Sequence, residues 1–229
     1  MTLSRIDSSL WVKICGLMVP EQAITIAHLG ANAIGFISVR SSPRYVTPLQ
    51  IRAISESLLA ESLIQVERVG VFANPTEAEL QEAVDVGQLT TLQLHGQETP
   101  TICHQISEAY PRLRLIKALR IRSDADLAIA KTYEDIVDAV LLDAYHPKLL
   151  GGTGKTLDWR SLHHFQLSKP WILAGGLTPQ NIGEALDTVT PHGIDLSSGV
   201  EISPGNKSLD KVKILFKQLA SRSKNSEYS

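Results

Sequence analysis

The chain reads as an α/β protein built as a single-domain (β/α)8 barrel within its 229 residues. Three observations point there. Short β-branched or apolar runs alternate about eight times with longer amphipathic segments, the rhythm of parallel strands joined by crossover helices. Polar and glycine-rich punctuation recurs directly after most of these runs, as a fold that gathers its strand ends at one mouth requires. No linker rich in Pro, Gly or Ser divides the chain. The rival, a doubly wound open sheet, usually uses fewer strands and carries its glycine fingerprint after the first one.

In chain order the strand runs are 10–15, 33–38, 68–73, 91–94, 114–119, 139–143, 170–174 and 193–197. Residues 1–9 precede them as an N-terminal extension, 10–220 form the barrel, and 221–229 read as a polar, frayed tail. Several helices announce their starts. Thr47-Pro48 opens a segment at 49–59, and Asn74-Pro75-Thr76-Glu77 opens one at 78–86. Ser123-Asp124-Ala125-Asp126 opens one at 123–136, and Thr178-Pro179 one at 180–189. A capping residue followed by Pro suits a helix N-terminus, and early acidic residues complement the helix dipole.

Composition narrows the function. Hydrophobic residues make up 43% and charged residues 20%, with a net charge of −2. That balance offers no basic footprint for nucleic acid and no polybasic membrane patch. The first residues lack the apolar core of a signal peptide, and no apolar run is long enough to cross a bilayer. Two cysteines, Cys15 and Cys103, fall on a strand end and a helix, so a disulfide is not expected and a reducing, cytoplasmic setting fits. The seven histidines show no metal-ligand spacing, and neither a metal nor a cofactor is implied. The expected partner is a small phosphorylated substrate, and the sequence leaves monomer and homodimer both open.

Lys13-Ile14-Cys15-Gly16-Leu17 ends an apolar run with a thiol at the barrel rim. Alternation puts Lys13 on the same face as Cys15, one layer deeper. An ammonium there favours thiolate over thiol and is expected to lower the thiol pKa, as a general base requires. The plainer alternative is that Cys15 is a small buried hydrophobe, as most free cysteines are; Cys103, within a helical pattern, reads that way. Asp143 closes the run Ala139-Val140-Leu141-Leu142 and is placed for general-acid work, a cap or loop salt bridge being the alternative. Asp195 lies deeper on the last strand, where a structural or orienting role is as well supported.

Phosphate signals are distributed. Gly151-Gly152-Thr153-Gly154, Gly175-Gly176 and Ser197-Ser198-Gly199 each offer backbone amides in a loop. The last two follow strands seven and eight, where barrels commonly hold phosphate. Gly152, Gly154, Gly175, Gly176, Ser198 and Gly199 are the candidates. Gly151–Thr156 also invites comparison with a nucleotide P-loop, but Leu149 stands where that motif needs glycine, and no strand or long helix flanks it. Arg44, in Ser42-Pro43-Arg44-Tyr45, is a guanidinium on a proline-stiffened loop that could clamp a carboxylate bidentately; an isolated arginine is more commonly solvated. His95, in Gln93-Leu94-His95-Gly96, is either a base or a satisfied strand-end histidine.

Taken together in order, Lys13–Leu17, Gly35-Phe36, Ser42–Val46, Val69–Phe72, Gln93–Gly96, Leu142-Asp143, Gly151–Thr156, Ala174–Leu177 with Asn181, and Asp195–Glu201 resemble the phosphoribosylanthranilate isomerase family of tryptophan biosynthesis. The resemblance runs from about Trp11 to about Phe216. It implies a TIM barrel that converts N-(5-phosphoribosyl)anthranilate to 1-(2-carboxyphenylamino)-1-deoxyribulose 5-phosphate by Amadori rearrangement. By the same resemblance Cys15 is the general base at C2′ and Asp143 the acid at the ring oxygen. Arg44 holds the anthranilate carboxylate, Asp195 orients, and the amides near Gly154, Gly176 and Ser198-Gly199 take the phosphate. Ile37-Ser38-Val39-Arg40-Ser41-Ser42 departs from the family's usual lead-in to Ser-Pro-Arg, so the Arg44 loop is expected to close in its own way. A related ribulose-phosphate barrel, such as an indole-glycerol-phosphate synthase, would instead call for a lysine acid. A non-catalytic phosphate binder would not need both Cys15 and Asp143.

Overall fold

Eight parallel strands close into a barrel in sequence order, the first pairing with both the second and the last. The computed structural model describes residues 10–144, 159–163 and 165–226. The strands are β1 (Trp11–Cys15), β2 (Ala33–Ile37), β3 (Glu67–Phe72), β4 (Thr91–Leu94), β5 (Arg114–Ile121), β6 (Ala139–Ala144), β7 (Trp171–Ala174) and β8 (Gly193–Leu196). All eight predicted strands are present, shifted by at most two residues at an end. The intervening helices are α1 (Pro20–His28), α2 (Pro48–Ala60), α3 (Glu77–Gly87), α4 (Pro100–Ala109), α5 (Asp124–Ala130) and α6 (Ile182–Thr188). Between β6 and β7 the described residues include a 3₁₀ turn at Trp159–Leu162. After β8 come a second 3₁₀ turn (Ser198–Val200), a short hairpin of β9 (Glu201–Ser203) and β10 (Asn206–Lys207), and the closing helix α7 (Leu209–Ser226).

The strands read as unbroken apolar runs because both of their faces are buried. One alternate set, including Trp11, Cys15, Val69, Ile116, Leu141 and Ile172, fills the barrel. The other, including Ile14, Phe36, Leu92, Leu142 and Leu173, packs beneath the helices. Each fully buried side chain of this size contributes about 1.5–3 kcal/mol of transfer free energy. Below the apolar interior a polar group closes the barrel floor: Glu67 accepts from Trp11 Nε1 at 3.1 Å and from Thr91 Oγ1 at 2.9 Å, and pairs with Arg114.

The start signals act as their chemistry demands. Thr47 and Thr76 each form a reciprocal capping box, with Gln50 and Glu79, and Pro48 occupies the first turn of α2. Such caps stabilise a helix by about 1 kcal/mol each. Three boundaries differ from expectation. α5 gives way at Lys131–Tyr133 to a 3₁₀ turn, and Tyr133 then donates its hydroxyl to the Glu98 carbonyl at 2.9 Å. α6 begins at Ile182 rather than near Gln180, because Thr178 and Asn181 close a turn on each other first: the Thr178 amide donates to Asn181 Oδ1 at 2.8 Å. Helix α7 continues past Ser221 to Ser226, with Arg222 paired to Asp187 at 2.5 Å.

Candidate active site

The C-terminal end of β1 delivers Cys15, buried at 5% exposure, and Lys13 one layer below it. Lys13 Nζ donates to Asp195 Oδ2 on β8 at 2.8 Å and, across the barrel, to Gln93 Oε1 on β4 at 2.8 Å. Asp195 thus holds the ammonium beneath the thiol. A second ammonium approaches from the hairpin: Lys207 Nζ donates to the Cys15 carbonyl at 2.5 Å, and Ser197 Oγ donates to the same oxygen at 3.0 Å.

The effect on the thiol corrects the sequence-based expectation. Burial pushes the Cys15 pKa up, and Asp195 adds to that; Lys13 and Lys207 pull the other way without prevailing. The ammonium lies where strand parity puts it and does favour the thiolate, but burial of the sulfur outweighs it. Burial works hardest against the Lys13 ammonium, yet Asp195 and Cys15 outweigh it and hold Lys13 above its ordinary range.

Two glycines make room for this arrangement. A Cβ on Gly35, the register partner of Cys15, would fall 2.6 Å from Cys15 Sγ and 2.9 Å from Lys13 Cε. Gly16 turns the chain at φ 80°, and a Cβ there would press on Arg44 Cδ at 2.7 Å.

Arg44 lies on the β2–α2 loop, which an Ile37–Tyr45 bridge and the Val46 amide on the Ile37 carbonyl at 3.0 Å tie back to β2. It does clamp a carboxylate bidentately, but that carboxylate belongs to the chain. Nε and Nη2 of Arg44 meet Glu201 at 2.9 and 2.6 Å. Glu201 also accepts from Lys207 Nζ at 2.7 Å and from the Gly205 amide at 3.0 Å. Burial opposes the Glu201 charge, yet Arg44 and Lys207 outweigh it and hold the carboxyl down to about 2. Lys207 is pulled below its ordinary range, chiefly by burial.

Across the mouth, β6 carries Asp143, whose side chain is 31% exposed and lies with its Oδ2 3.5 Å from His95 Nε2. His95 Nδ1 is in turn 3.5 Å from Gln93 Nε2. Its loop is held by a buried pair, Lys117 with Glu98 at 2.7 Å, whose carboxylate also accepts from the Asn74 and Gly96 amides. Arg120, exposed on β5 and in register with Asp143, stands at the same rim.

Gly175 and Gly176 follow β7 with φ of 94° and 64°, and the Gly176 carbonyl accepts from Asn181 Nδ2 at 2.9 Å. Beside them Ser198 and Gly199 begin the 3₁₀ turn after β8, Gly199 packed so closely under the Leu177 carbonyl that no Cβ fits. Gly152 and Gly154 lie outside the described residues, as does the rest of the P-loop-like segment. Cys103 is buried in α4 as expected, and no cluster of metal-ligating side chains occurs among the described residues.

Glu201, Lys207 and Gln93 were not singled out by sequence. Gln93 had a signal, being a polar residue in an apolar strand that shares its face with His95. Lys207, in a two-residue strand, had none.

A barrel whose mouth gathers a thiol, a carboxylate, a carboxylate-clamping arginine and glycine loops after β7 and β8 is an enzyme of acid–base chemistry on small phosphorylated substrates. Residues 12–218 match the family described as N-(5'-phosphoribosyl)anthranilate (PRA) isomerase. The chain is 59% identical over 214 residues to the N-(5'-phosphoribosyl)anthranilate isomerase of Synechococcus elongatus, covering 93% of this chain and 98% of that one. The crystal structure of the Thermotoga maritima phosphoribosyl anthranilate isomerase superposes with a TM-score of 0.79 at 36% identity, covering 93% of this chain and 99% of that one. A phosphoribosyl anthranilate isomerase in complex with reduced 1-(o-carboxyphenylamino)-1-deoxyribulose 5-phosphate has a TM-score of 0.77 at 34% identity, with 93% and 99% covered. The chain belongs to the phosphoribosylanthranilate isomerase family, the aldose–ketose isomerases of tryptophan biosynthesis.

Proposed function

We propose that the chain converts N-(5-phosphoribosyl)anthranilate to 1-(2-carboxyphenylamino)-1-deoxyribulose 5-phosphate, with Cys15 as base and Asp143 as acid. The observation that carries the assignment of roles is that β1 and β6 aim these two side chains into one mouth from different sides. Asp143 gives a proton to the furanose oxygen as the C1′–O bond breaks, and the anilino nitrogen supplies the electron pair for a C1′=N bond. The Cys15 thiolate then removes the C2′ proton, whose electron pair forms the C1′=C2′ bond of an enolamine. Tautomerisation delivers the ketone at C2′. Each proton transfer is worth about 10²–10⁴ in rate when the group is well placed.

Arg44 takes the anthranilate carboxylate. Glu201 occupies its Nε–Nη2 edge, which leaves the Nη1–Nη2 edge for a second carboxylate. The loops at Gly175-Gly176 and Ser198-Gly199, with Gly152 and Gly154 from the β6–β7 connection, hold the phosphate and so anchor the sugar remotely from the reacting carbons. Asp195 orients through Lys13. The enzyme works in the cytoplasm as a monomer or homodimer.

The test is a coupled assay that generates the substrate in situ and follows loss of its anthranilate fluorescence. Cys15→Ala and Asp143→Ala should each lower kcat by about 10²–10⁴ with an unchanged melting profile. Rates near wild type in either variant would remove that residue from its role.

A further inference from the structure

We infer that Glu201 is a positioning residue that presents Arg44 to the substrate carboxylate and ties that clamp to the strand end bearing Cys15. This deepens the proposed reading and rests on Arg44 taking the carboxylate.

The geometry is a hub around one buried carboxylate. Oε1 of Glu201 accepts from Lys207 Nζ at 2.7 Å, from Arg44 Nε at 2.9 Å and from the Gly205 amide at 3.0 Å. Oε2 accepts from Arg44 Nη2 at 2.6 Å. Lys207, itself fully buried, passes the connection to the Cys15 carbonyl at 2.5 Å. The Glu201 side chain is 4% exposed.

An arginine on a loop samples many rotamers, and ordering it on a ligand costs conformational entropy. The side-on bidentate contact removes that freedom before substrate arrives and fixes the plane of the guanidinium. Among the described residues no other carboxylate pairs with Arg44. The remaining edge is therefore held in a fixed direction. Glu201 also joins loops that are far apart in sequence, so the distance from the carboxylate clamp to the base is set by buried, charge-assisted bonds and not by loop packing alone.

The experiment compares binding of two ligands by titration calorimetry: reduced 1-(o-carboxyphenylamino)-1-deoxyribulose 5-phosphate and its phenylamino counterpart without the carboxylate. Wild type should prefer the carboxylated ligand by roughly tenfold or more, the worth of a charge-assisted bidentate contact. Glu201→Gln should bring that preference down to within about threefold while affinity for the counterpart changes little; Arg44→Ala should do the same, and the double variant should lose no more than either single one. A merely structural role would weaken both ligands alike or neither.

Full retention of the preference in Glu201→Gln, with Arg44→Ala abolishing it, overturns the inference and leaves the Arg44 assignment standing. Retention in Arg44→Ala overturns both. Should the glutamine variant not fold, Glu201→Asp is read by the same criteria, since it keeps the buried charge but is one methylene short of bridging Arg44 and Lys207.

Discussion

Gly35→Ala is the most direct probe of how closely the base is held. The added methyl would sit 2.6 Å from Cys15 Sγ, 2.9 Å from Lys13 Cε and 3.0 Å from Cys15 Cα. Non-bonded heavy atoms settle at about 3.5–4.0 Å, so the sulfur must retreat by about 1 Å. The other two neighbours have little room to give: Lys13 is pinned at its Nζ by Gln93 and Asp195, and the Cys15 backbone is fixed in the β1–β2 ladder. Overpacking of this kind costs about 1–3 kcal/mol, offset by about 0.4–1 kcal/mol from the lower entropy of the unfolded chain. The net cost is at most about 2.6 kcal/mol, and a chain of this size loses about 2–4 °C per kcal/mol, so the melting temperature should fall by up to roughly 10 °C. The larger effect is on rate, since a misplacement near 1 Å can cost about 10²-fold in turnover. Circular dichroism melts and the fluorescence assay at 25 °C separate the two effects. A variant that melts lower yet turns over within threefold of wild type would refute the claim that sulfur position limits the chemistry.

Two further outcomes follow from the charge pattern. Because burial raises the Cys15 pKa above its ordinary value of 9.0, the thiolate is the minor form at neutral pH and grows as pH rises. In Asp143→Ala, where protonation of the acid no longer enters, the residual kcat/KM should therefore climb with pH from 7 through 9, roughly tenfold per unit while the thiol remains largely protonated; an acidic limb already complete near pH 7 in that variant would contradict it. Lys117→Met should destabilise the fold by about 3–5 kcal/mol, because it strands the buried Glu98 carboxylate with only the Asn74 and Gly96 amides. The expected fall in melting temperature is roughly 6–20 °C, and a drop under 3 °C would show that those amides suffice.

The barrel was legible because its strands are buried on both faces and its helices carry explicit caps. Thr47 and Thr76 signalled their helices through local hydrogen bonds that need no tertiary context. The boundaries of α5 and α6 were less legible, because each is set by a tertiary bond or a closed turn, at Tyr133 and at Asn181. The same divide runs through the site. Parity on a strand placed Cys15 over Lys13 and gave Asp195 its depth. It could not reveal that Arg44 would find Glu201, 157 residues away, nor that Lys207 would reach the Cys15 carbonyl.

The misjudged thiol shows what the buried charges do. Lys13 and Lys207 both lie near Cys15, and an unpaired ammonium at either place would favour the thiolate strongly. Each is instead matched by a carboxylate, Asp195 or Glu201, and the net field on the sulfur no longer offsets its burial. Such pairs are seldom retained for stability, since an apolar core of equal volume serves as well. What they supply is direction. Lys13 is aimed by two acceptors and Arg44 by one bidentate partner. Below the thiol and beside it, the two ammoniums still favour the thiolate without overcoming its burial, and their carboxylates fix the positions of the groups that meet the substrate.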